Sequence, residues 1–326
     1  MNRSHKVVSV GEILVDFVSA KSGVSLKNAP QFVKCAGGAP ANVAVGIARL
    51  GTRSSMIGKV GNDAFGRYLI NELREAGVET SGIVRDRDHK TRLAFVSLMK
   101  NGDRDFEFWE KHPADEFLEF SEIDRTVLEQ AHIVNIGSFL LLSDPSRSAA
   151  LRVAKEARDL GRLVCYDPNL RLSLWKNKSE GKRVMMEMIS RSTIIRMNDE
   201  EAFFFTGIRN VESAAERLRR SGPVLVLITF GSKGCYFQTE RLSGHVAGFR
   251  VRPLDTTGCG DGFLAGLLHG LAQSSKKLDE YLPEELLAIC TVANAVGALV
   301  ALKRGGITAM PSGRELRQFL AQKDNR

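Results

Sequence analysis

The chain of 326 residues has few of the features that mark secreted, membrane-spanning or metal-cluster proteins. Its five cysteines are scattered, odd in number and without the paired spacing of metal ligands, which indicates free thiols in a reducing compartment. The apolar run at residues 7–10 is too short for the core of a signal peptide, and no apolar stretch reaches the roughly 18 residues that a membrane helix needs. We therefore expect a cytoplasmic protein that contacts no membrane.

A strong excess of charge of one sign is also missing, because 46 Lys and Arg residues stand against 38 Asp and Glu residues. The net charge of +8 is interspersed, and the sequence has no basic stripe or basic–aromatic module of the kind that binds nucleic acid. We expect no nucleic-acid partner, while an anionic small-molecule substrate stays open. With 43% hydrophobic and 26% charged residues, the composition is that of a globular protein with a sizeable core.

Apolar segments of strand length alternate with segments of helical periodicity along most of the chain. The alternation begins with a buried strand at 7–10, a helix at 41–50, a strand at 56–60 and a helix at 64–76. It continues with strands at 133–136, 163–166, 194–197 and 224–230, and with helices at 147–160, 181–191, 199–206, 211–221 and 262–272. This order predicts an α/β fold with a mainly parallel central sheet covered by helices.

Two segments do not follow this alternation. Residues 91–108 combine two apolar runs around Asn101-Gly102, a dipeptide typical of a β-hairpin turn, and the stretch around 12–36 has a similar antiparallel character. We predict that they form a small β-rich lid inserted into the α/β body. The approximate boundaries are 12–36 and 87–110 for the lid, and 1–11, 37–86 and 111–326 for the body.

The most informative stretch is the loop at residues 255–261, with the sequence DTTGCGD. It follows a strand-like run at 246–254 and precedes a helical run, a geometry that collects anions at exposed N–H groups. Gly258 and Gly260 allow the backbone to approach a phosphate closely. The loop is not a Walker loop, which needs Gly-Lys-Ser/Thr, and it is not a dinucleotide fingerprint, because Phe263 replaces the third glycine.

Asp261 places a carboxylate where the loop is expected to bind an anion. Its repulsion toward phosphate needs compensation by a cation or by a proton transfer. In one interpretation it is a general base, which removes the proton from a substrate hydroxyl as that oxygen attacks a terminal phosphoryl group. In the other it is a helix N-cap, a common structural use of aspartate. This loop alone does not separate the two interpretations.

A second glycine-led helix start lies at residues 37–42, with the sequence GGAPAN. Its Asn42 and the upstream Asp16 offer donors and acceptors to neighbouring hydroxyl groups, which is how a polyol is bound. Taken singly, Asp16 is typical of a turn and Asn42 of a solvated helix face. Two such helix starts in one α/β chain, each with a companion carboxylate, favour a site for two substrates.

These motifs resemble those of the ribokinase-like (PfkB-type) sugar kinases over essentially the whole chain. The two family motifs correspond to residues 37–42 together with 58–66 (GKVGNDAFG), and to residues 255–261. The chain is most similar to fructokinases through Gly11-Glu12 followed by Asp16, the run 106–115, YDPNLR at 166–171 followed by Trp175, and TFGSKG at 229–234. The resemblance implies a ribokinase-like three-layer sandwich whose small β-rich lid closes over the sugar.

The resemblance also implies a role for each matching residue. The catalytic base would be Asp261, with an anion hole formed by the amides of Gly258, Cys259 and Gly260. The residues implied to contact the sugar or a phosphate are Asp16, Gly37, Gly38, Asn42, Arg92 and Arg171. The residues implied to lie on the ATP side are Asn198, Glu201, Thr229, Gly231, Gly234 and Asn294. Asn198 and Glu201 match an Asn-x-x-Glu motif that organises Mg²⁺ through water.

A monovalent-cation site is implied as well. Asp255 and Thr257 match two of its ligands, and carbonyls near Val300, Lys303 and Gly305 would complete it. Ala309 lacks a hydroxyl group that some relatives carry, so the dependence on K⁺ stays open. In the anion hole, Cys259 replaces the usual alanine, as an inert small residue or as a reactive thiol.

We therefore predict a sugar kinase that uses ATP and Mg²⁺ to convert D-fructose to D-fructose 6-phosphate. A kinase for another sugar, such as 2-keto-3-deoxygluconate, is an alternative because the basic surplus suits its carboxylate. A catalytically silent relative that acts as a binding module is a further alternative. The apolar faces of the lid strands (Phe95, Phe106 and Phe108) need a cover, which predicts a homodimer through the lid.

Overall fold

The computed structural model describes residues 5–21, 23–98 and 104–324, and the strands within these ranges form two sheets. The strands are β1 (Val7–Val10), β2 (Leu14–Ser19), β3 (Phe32–Gly37), β4 (Ser54–Gly61), β5 (Glu79–Asp86), β6 (Leu93–Leu98), β7 (Arg104–Phe108), β8 (Ile133–Ile136), β9 (Leu163–Tyr166), β10 (Ile194–Asn198), β11 (Leu225–Thr229), β12 (Gly234–Gln238) and β13 (Ser243–Ala247). The main sheet has the order β13-β12-β11-β10-β9-β8-β1-β4-β5. Neighbouring strands from β11 to β5 are parallel, and β12 and β13 add an antiparallel edge.

Helices cover both faces of the main sheet. They are α1 (Ala39–Arg49), α2 (Ala64–Glu75), α3 (Arg125–Glu129), α4 (Ser146–Asp159), α5 (Lys178–Arg191), α6 (Asp199–Thr206), α7 (Val211–Arg219), α8 (Cys259–Leu271), α9 (Pro283–Ala301) and α10 (Gly313–Asp324). Val8 and Val10 of β1 pack into the core that contains α4 to α7, whereas Val7 packs into the core that contains α1, α8 and α9. Alternate residues of a strand point to opposite faces, so the three-layer α/β prediction is confirmed.

The predicted strand at 246–254 is wrong. β13 ends at Ala247, and the residues from 248 to 254 have no regular structure before the loop that leads to α8. Gly248 lies against the backbone of Ser232, where a Cβ would come within 2.5 Å of the carbonyl oxygen. Pro253 has no N–H for a strand ladder. The residues from 248 to 254 therefore form no strand, although the run has the apolar pattern of one.

Helix α9 corrects the expectation that no apolar stretch has the length of a membrane helix. It spans 19 residues with a mean hydropathy of 1.6, and so passes the criteria of length and composition. Leu286 and Ala293 are buried against α8 and the main sheet, and 44% of the apolar window is buried within the described chain. A core helix passes the same criteria, so this helix is weak evidence for a membrane span.

The second sheet is formed by strands from the two segments that depart from the alternation. Its order within the described residues is β3-β2-β6-β7, with antiparallel outer pairs and a parallel pair between β2 and β6. The predicted turn at Asn101-Gly102 and the side chain of Phe106 lie outside the described residues. Phe108 lines the pocket under this sheet and contacts Phe139, with ring centroids 5.7 Å apart, so its predicted need for an outer cover is wrong.

Candidate active site

A pocket of about 850 Å³ lies between the second sheet and the carboxyl ends of the parallel strands. Asp16 of β2 lines the pocket on the side of the second sheet. Asn169, which follows β9, and Asn198, the last residue of β10, line it on the side of the main sheet. Ligands of open α/β sheets bind beyond the carboxyl ends of the strands, so this pocket is the candidate active site.

Asp255 holds the loop that precedes α8 in place. Its Oδ1 accepts hydrogen bonds from the backbone N–H of Thr257 at 2.9 Å and from the Thr257 hydroxyl at 2.7 Å. Its Oδ2 accepts a hydrogen bond from the N–H of Gly305 at 3.1 Å. Gly258 then caps the helix with a φ of +76°, a conformation that residues with a side chain rarely adopt. The N-terminus of α8 is therefore fixed in its orientation beside the pocket.

The three residues predicted to form an anion hole differ in their surroundings. Gly258 and Gly260 line the pocket, whereas Cys259 packs partly into the apolar core around α1. The N–H of Cys259 donates to the carbonyl oxygen of Thr256 at 3.3 Å, within the loop itself. The Arg196 guanidinium lies next to Gly260. A Cβ on residue 260 would come within 2.7 Å of the Nη1 atom of Arg196. A side chain at position 260 would therefore force the Arg196 guanidinium to shift.

Asp261 is the third residue of α8 and lines the same pocket. The Nδ2 group of Asn42 donates to its Oδ2 at 2.7 Å. Burial raises the pKa of this carboxyl to about 6, against the lowering effect of Asn42 and of Arg196. The helix N-cap is Gly258, so the N-cap interpretation of Asp261 is wrong. A carboxylate with a pKa near neutrality suits proton transfer at physiological pH.

The predicted sugar-contacting residues of the first half of the chain surround Asp261. Asp16, Gly38 and Asn42 all line the pocket, and Asn42 is only 6% exposed. Gly38 begins α1 with a φ of +104°, and a Cβ at Gly37 would overlap the Asp16 carboxylate. Gly37 therefore lets the backbone approach Asp16, Gly38 lies against the backbone of Glu12, and α1 directs Asn42 toward Asp261.

Arg196 of β10 is a site residue that the sequence analysis did not identify. Its Nη1 donates to Asp167 at 2.9 Å and its Nη2 to the hydroxyl of Thr229 at 2.8 Å, and it lines the pocket. Burial alone would lower its pKa, but the nearby carboxylates of Asp167, Glu201 and Asp261 outweigh burial and raise it. The presence of a charged residue within an otherwise apolar strand is the sequence feature from which Arg196 could have been identified.

The Asn-x-x-Glu motif forms a reciprocal cap at the start of α6. The Oδ1 of Asn198 accepts from the N–H of Glu201 at 2.8 Å, and the Oε2 of Glu201 accepts from the N–H of Asn198 at 2.8 Å. The other oxygen of Glu201 accepts from the N–H of Leu170 at 2.6 Å. Burial, followed by the charge of Asp167, raises the pKa of Glu201. Both motif residues line the pocket.

Four further residues were predicted on the ATP side, and none of them is among the described residues that line this pocket: Thr229, Gly231, Gly234 and Asn294. Thr229 is bound by Arg196, and Gly231 and Gly234 form the turn between β11 and β12. Asn294 of α9 donates to the carbonyl oxygens of Val246 and Ala247, at 3.3 Å each. The structure therefore assigns Asn294 to the attachment of α9 to the end of β13.

The two arginines predicted to contact substrate have different positions. Arg171 is exposed and lines the pocket. Arg92 is 4% exposed, and its guanidinium donates to Asp115 at 3.0 Å and to Glu116 at 3.1 Å. Arg92 is not among the described residues that line the pocket, and its charge is paired within the protein, so a substrate contact by Arg92 stays a prediction. Local sequence could not show this pairing, since its partners lie more than 20 residues away.

Comparison with known proteins shows which proteins the chain is similar to. The pfkB family carbohydrate kinase profile matches residues 4–313. Probable fructokinase-4 of Arabidopsis thaliana is 40% identical over 315 residues, which cover 96% of each chain. The structure of the Xylella fastidiosa fructokinase with bound ATP has a TM-score of 0.90 at 30% identity, covering 98% of this chain and 99% of that chain. The structure of the Vibrio cholerae O395 fructokinase, in the form with fructose, ADP and calcium ion bound, has a TM-score of 0.87 at 32% identity, covering 97% and 99%.

The match in sequence and the match in structure both extend over nearly the whole chain. They confirm the resemblance to sugar kinases that was stated from the two glycine motifs, together with the ribokinase-like fold. The chain belongs to the family of pfkB carbohydrate kinases.

Proposed function

We propose that this kinase transfers the terminal phosphoryl group of ATP to the primary hydroxyl group of D-fructose, giving D-fructose 6-phosphate. The observation that carries the proposal is the contact between Asn42 and Asp261 at the N-terminus of α8, in one pocket with Asp16. This arrangement combines a group that accepts a proton with groups that bind hydroxyls. The choice of fructose is supported by relatives that carry the name fructokinase.

Asp261 acts as the general base in this proposal. Its carboxylate accepts the proton of the attacking hydroxyl group, and the Asn42 amide holds the acceptor oxygen in position. Asp16 and Gly38 bind other hydroxyl groups and orient the sugar. Positioned general bases contribute roughly 10²–10⁴-fold to a rate, so loss of Asp261 should cost turnover rather than folding.

The N-terminus of α8 and Arg196 stabilise the transferring phosphoryl group. The backbone N–H groups of Gly258 and Gly260 lie at the positive end of the helix dipole, beside the pocket. Arg196 adds a positive charge directly behind Gly260. Because this charge is held by Asp167 and Thr229, it needs little reorganisation during the reaction.

Asn198 and Glu201 fit Mg²⁺ better through water than by direct coordination. Each carboxylate oxygen of Glu201 already accepts one backbone N–H, and each retains a second lone pair for a water molecule. Within the described residues no group of three or more His, Cys, Asp or Glu side chains is arranged to hold a metal ion. When bound, Mg²⁺ would supply charge neutralisation between the phosphates.

Asp255 and Thr257 are proposed to form part of a K⁺ site. The Asp255 carboxylate joins the 255–257 turn to Gly305, so the site would link two chain segments beside α8. A cation there would strengthen the link and support the loop that carries Gly258. Activation by K⁺ is therefore expected to act on turnover through the position of this loop.

We also propose a cytoplasmic homodimer that buries the outer face of the second sheet. Phe95 contacts Phe17 at a centroid distance of 5.0 Å, Phe32 at 5.3 Å and Trp109 at 5.8 Å. Trp109 is 69% exposed, so this aromatic cluster is open to a partner surface. Sedimentation should give a dimer, and Trp109→Ser should weaken it; a wild-type monomer at micromolar concentration would contradict the proposal.

The test of the proposed activity is ADP release across a panel of sugars, with and without K⁺. Fructose should have the highest kcat/KM, and mass spectrometry should show phosphate on its terminal hydroxyl. Arg171 and Arg304 also line the pocket, and their positive charges favour an anionic group near them. The panel therefore includes 2-keto-3-deoxygluconate, and a higher kcat/KM for this sugar acid would overturn fructose as the substrate.

A further inference from the structure

Glu12 is a buried acid in the same row of side chains as the proposed sugar contact Asp16. Glu12, Leu14, Asp16 and Val18 alternate along the chain into and through β2, and all four line the pocket. Residues two apart along a strand share a face. Glu12 is 2% exposed and is therefore held within the protein at the inner end of this row. The sequence analysis used Glu12 as part of a motif and gave it no role.

The two oxygens of Glu12 have different surroundings. Oε1 accepts a hydrogen bond from the N–H of Ala39 at 3.1 Å, at the first residue of α1. Oε2 is buried and has no hydrogen-bond partner among the described residues. Gly137 lies next to this oxygen, since a Cβ at Gly137 would come within 2.9 Å of Oε2. A buried polar atom without a partner costs free energy, and a ligand group that binds it removes that cost.

The charges near Glu12 favour its neutral form. Arg92 is the basic group that faces it, but the Arg92 guanidinium is bound by Asp115 and Glu116. Asp16 and Asp261 add further acidic groups along the pocket wall. Burial raises the pKa of Glu12 to about 8, and Asp115 adds to this rise, against the lowering effect of the Ala39 N–H and of Arg92. At neutral pH the carboxyl group therefore carries its proton.

We propose that Glu12 is a further substrate-binding residue, whose Oε2 forms a hydrogen bond with a hydroxyl group of the sugar while the side chain is a neutral carboxylic acid. This inference rests on the proposed sugar-kinase function. A neutral carboxyl group offers both a donor and an acceptor, so it matches a sugar hydroxyl, which does the same. Glu12 takes no proton from the reacting hydroxyl and so affects KM for the sugar more than kcat.

The test compares Glu12→Gln, Glu12→Leu and the wild-type enzyme, with Glu75→Gln on the exposed end of α2 as the control for lost charge. Gln keeps an acceptor for the Ala39 N–H and a donor for the sugar, but it cannot ionise. Leu has a similar size and neither group. KM for fructose, KM for ATP and kcat are measured from about pH 7 to about pH 9.5, a range that spans the pKa of Glu12.

We expect Glu12→Leu to raise KM for fructose about tenfold, with kcat and KM for ATP near the wild-type values. The wild-type KM for fructose should rise above pH 8, because ionised Glu12 loses its donor, whereas the Glu12→Gln value should stay constant. An unchanged KM in Glu12→Leu, or the same rise with pH in Glu12→Gln, would overturn the inference. If Glu12→Leu does not fold, the pH profile of Glu12→Gln decides.

The same experiment separates this inference from the proposed function. Wild-type turnover of fructose together with an unchanged KM in Glu12→Leu rejects the role of Glu12 and leaves the kinase activity standing. A wild-type enzyme that neither binds fructose in calorimetry nor phosphorylates any sugar of the panel rejects the proposed function, and the inference with it. The thermal unfolding midpoints of all variants show whether loss of the hydrogen bond from the Ala39 N–H to Glu12 also lowers stability.

Discussion

Replacing Asn42 with leucine should move the acidic limb of the pH–rate profile toward higher pH. The Asn42 amide donates to Asp261 at 2.7 Å and lowers the pKa of a carboxyl that burial raises to about 6. A hydrogen bond to a charged group contributes about 1.5–3 kcal/mol, and about 1.4 kcal/mol corresponds to one pKa unit. The midpoint should therefore rise from about 6 to about 7–8. Asp261 must be ionised to accept a proton, so activity is lost below this midpoint.

The assay is kcat/KM for ATP-dependent phosphorylation of fructose, measured over the range in which the protein stays folded. Asn71→Leu, on the exposed side of α2, is the matched control and should keep the wild-type midpoint. KM for the sugar should rise in Asn42→Leu as well, because Asn42 lines the pocket and is a proposed sugar contact. An unchanged midpoint in Asn42→Leu would refute the assignment of the acidic limb to Asp261.

Three further substitutions test the surroundings of the loop before α8. Arg196→Met leaves the buried Asp167 carboxylate without its ion-pair partner. The free energy of unfolding, measured in urea, should therefore fall by about 3–5 kcal/mol. A wild-type free energy of unfolding would contradict a stabilising role of this ion pair. Gly260→Ala places a methyl group 2.7 Å from Arg196 Nη1 and so displaces the guanidinium. We expect kcat to fall by about 10²-fold, with little change in thermal stability. A near-normal kcat would show that the position of this guanidinium does not matter for turnover. Asp255→Ala removes the link to Gly305, so the ratio of kcat with and without K⁺ should fall to one, and retained activation would place the cation elsewhere.

Local patterns in the sequence predicted those parts of the fold and site that depend on local physics. Gly38, Gly258 and Gly260 mark two helix starts where backbone conformation or close packing disfavours a side chain, and all three line the pocket. The alternation of strand and helix patterns predicted the parallel sheet, because buried strands and amphipathic helices have different periods. The pocket at the carboxyl ends of these strands then brings together Asp16 from the second sheet, Asn42 from α1 and Asp261 from α8.

Features that depend on distant partners were not predictable from these patterns. Arg92 resembles a free cation in the sequence, and only the fold brings it to Asp115. Arg196 lies in an apolar strand, and its role depends on Asp167, 29 residues earlier, and on the helix that starts at Cys259. The run at 246–254 has the composition of a strand, but pairing requires a free neighbouring edge, which composition does not encode.

The most direct test of the account is the turnover of Asp261→Asn. The variant should fold with the wild-type thermal midpoint and bind ATP in calorimetry, because the carboxamide keeps the size of the side chain at the start of α8. Its kcat for fructose should fall by at least about 10²-fold, since the amide cannot accept the proton of the attacking hydroxyl. A kcat near that of the wild-type enzyme would contradict the role of Asp261 as the general base.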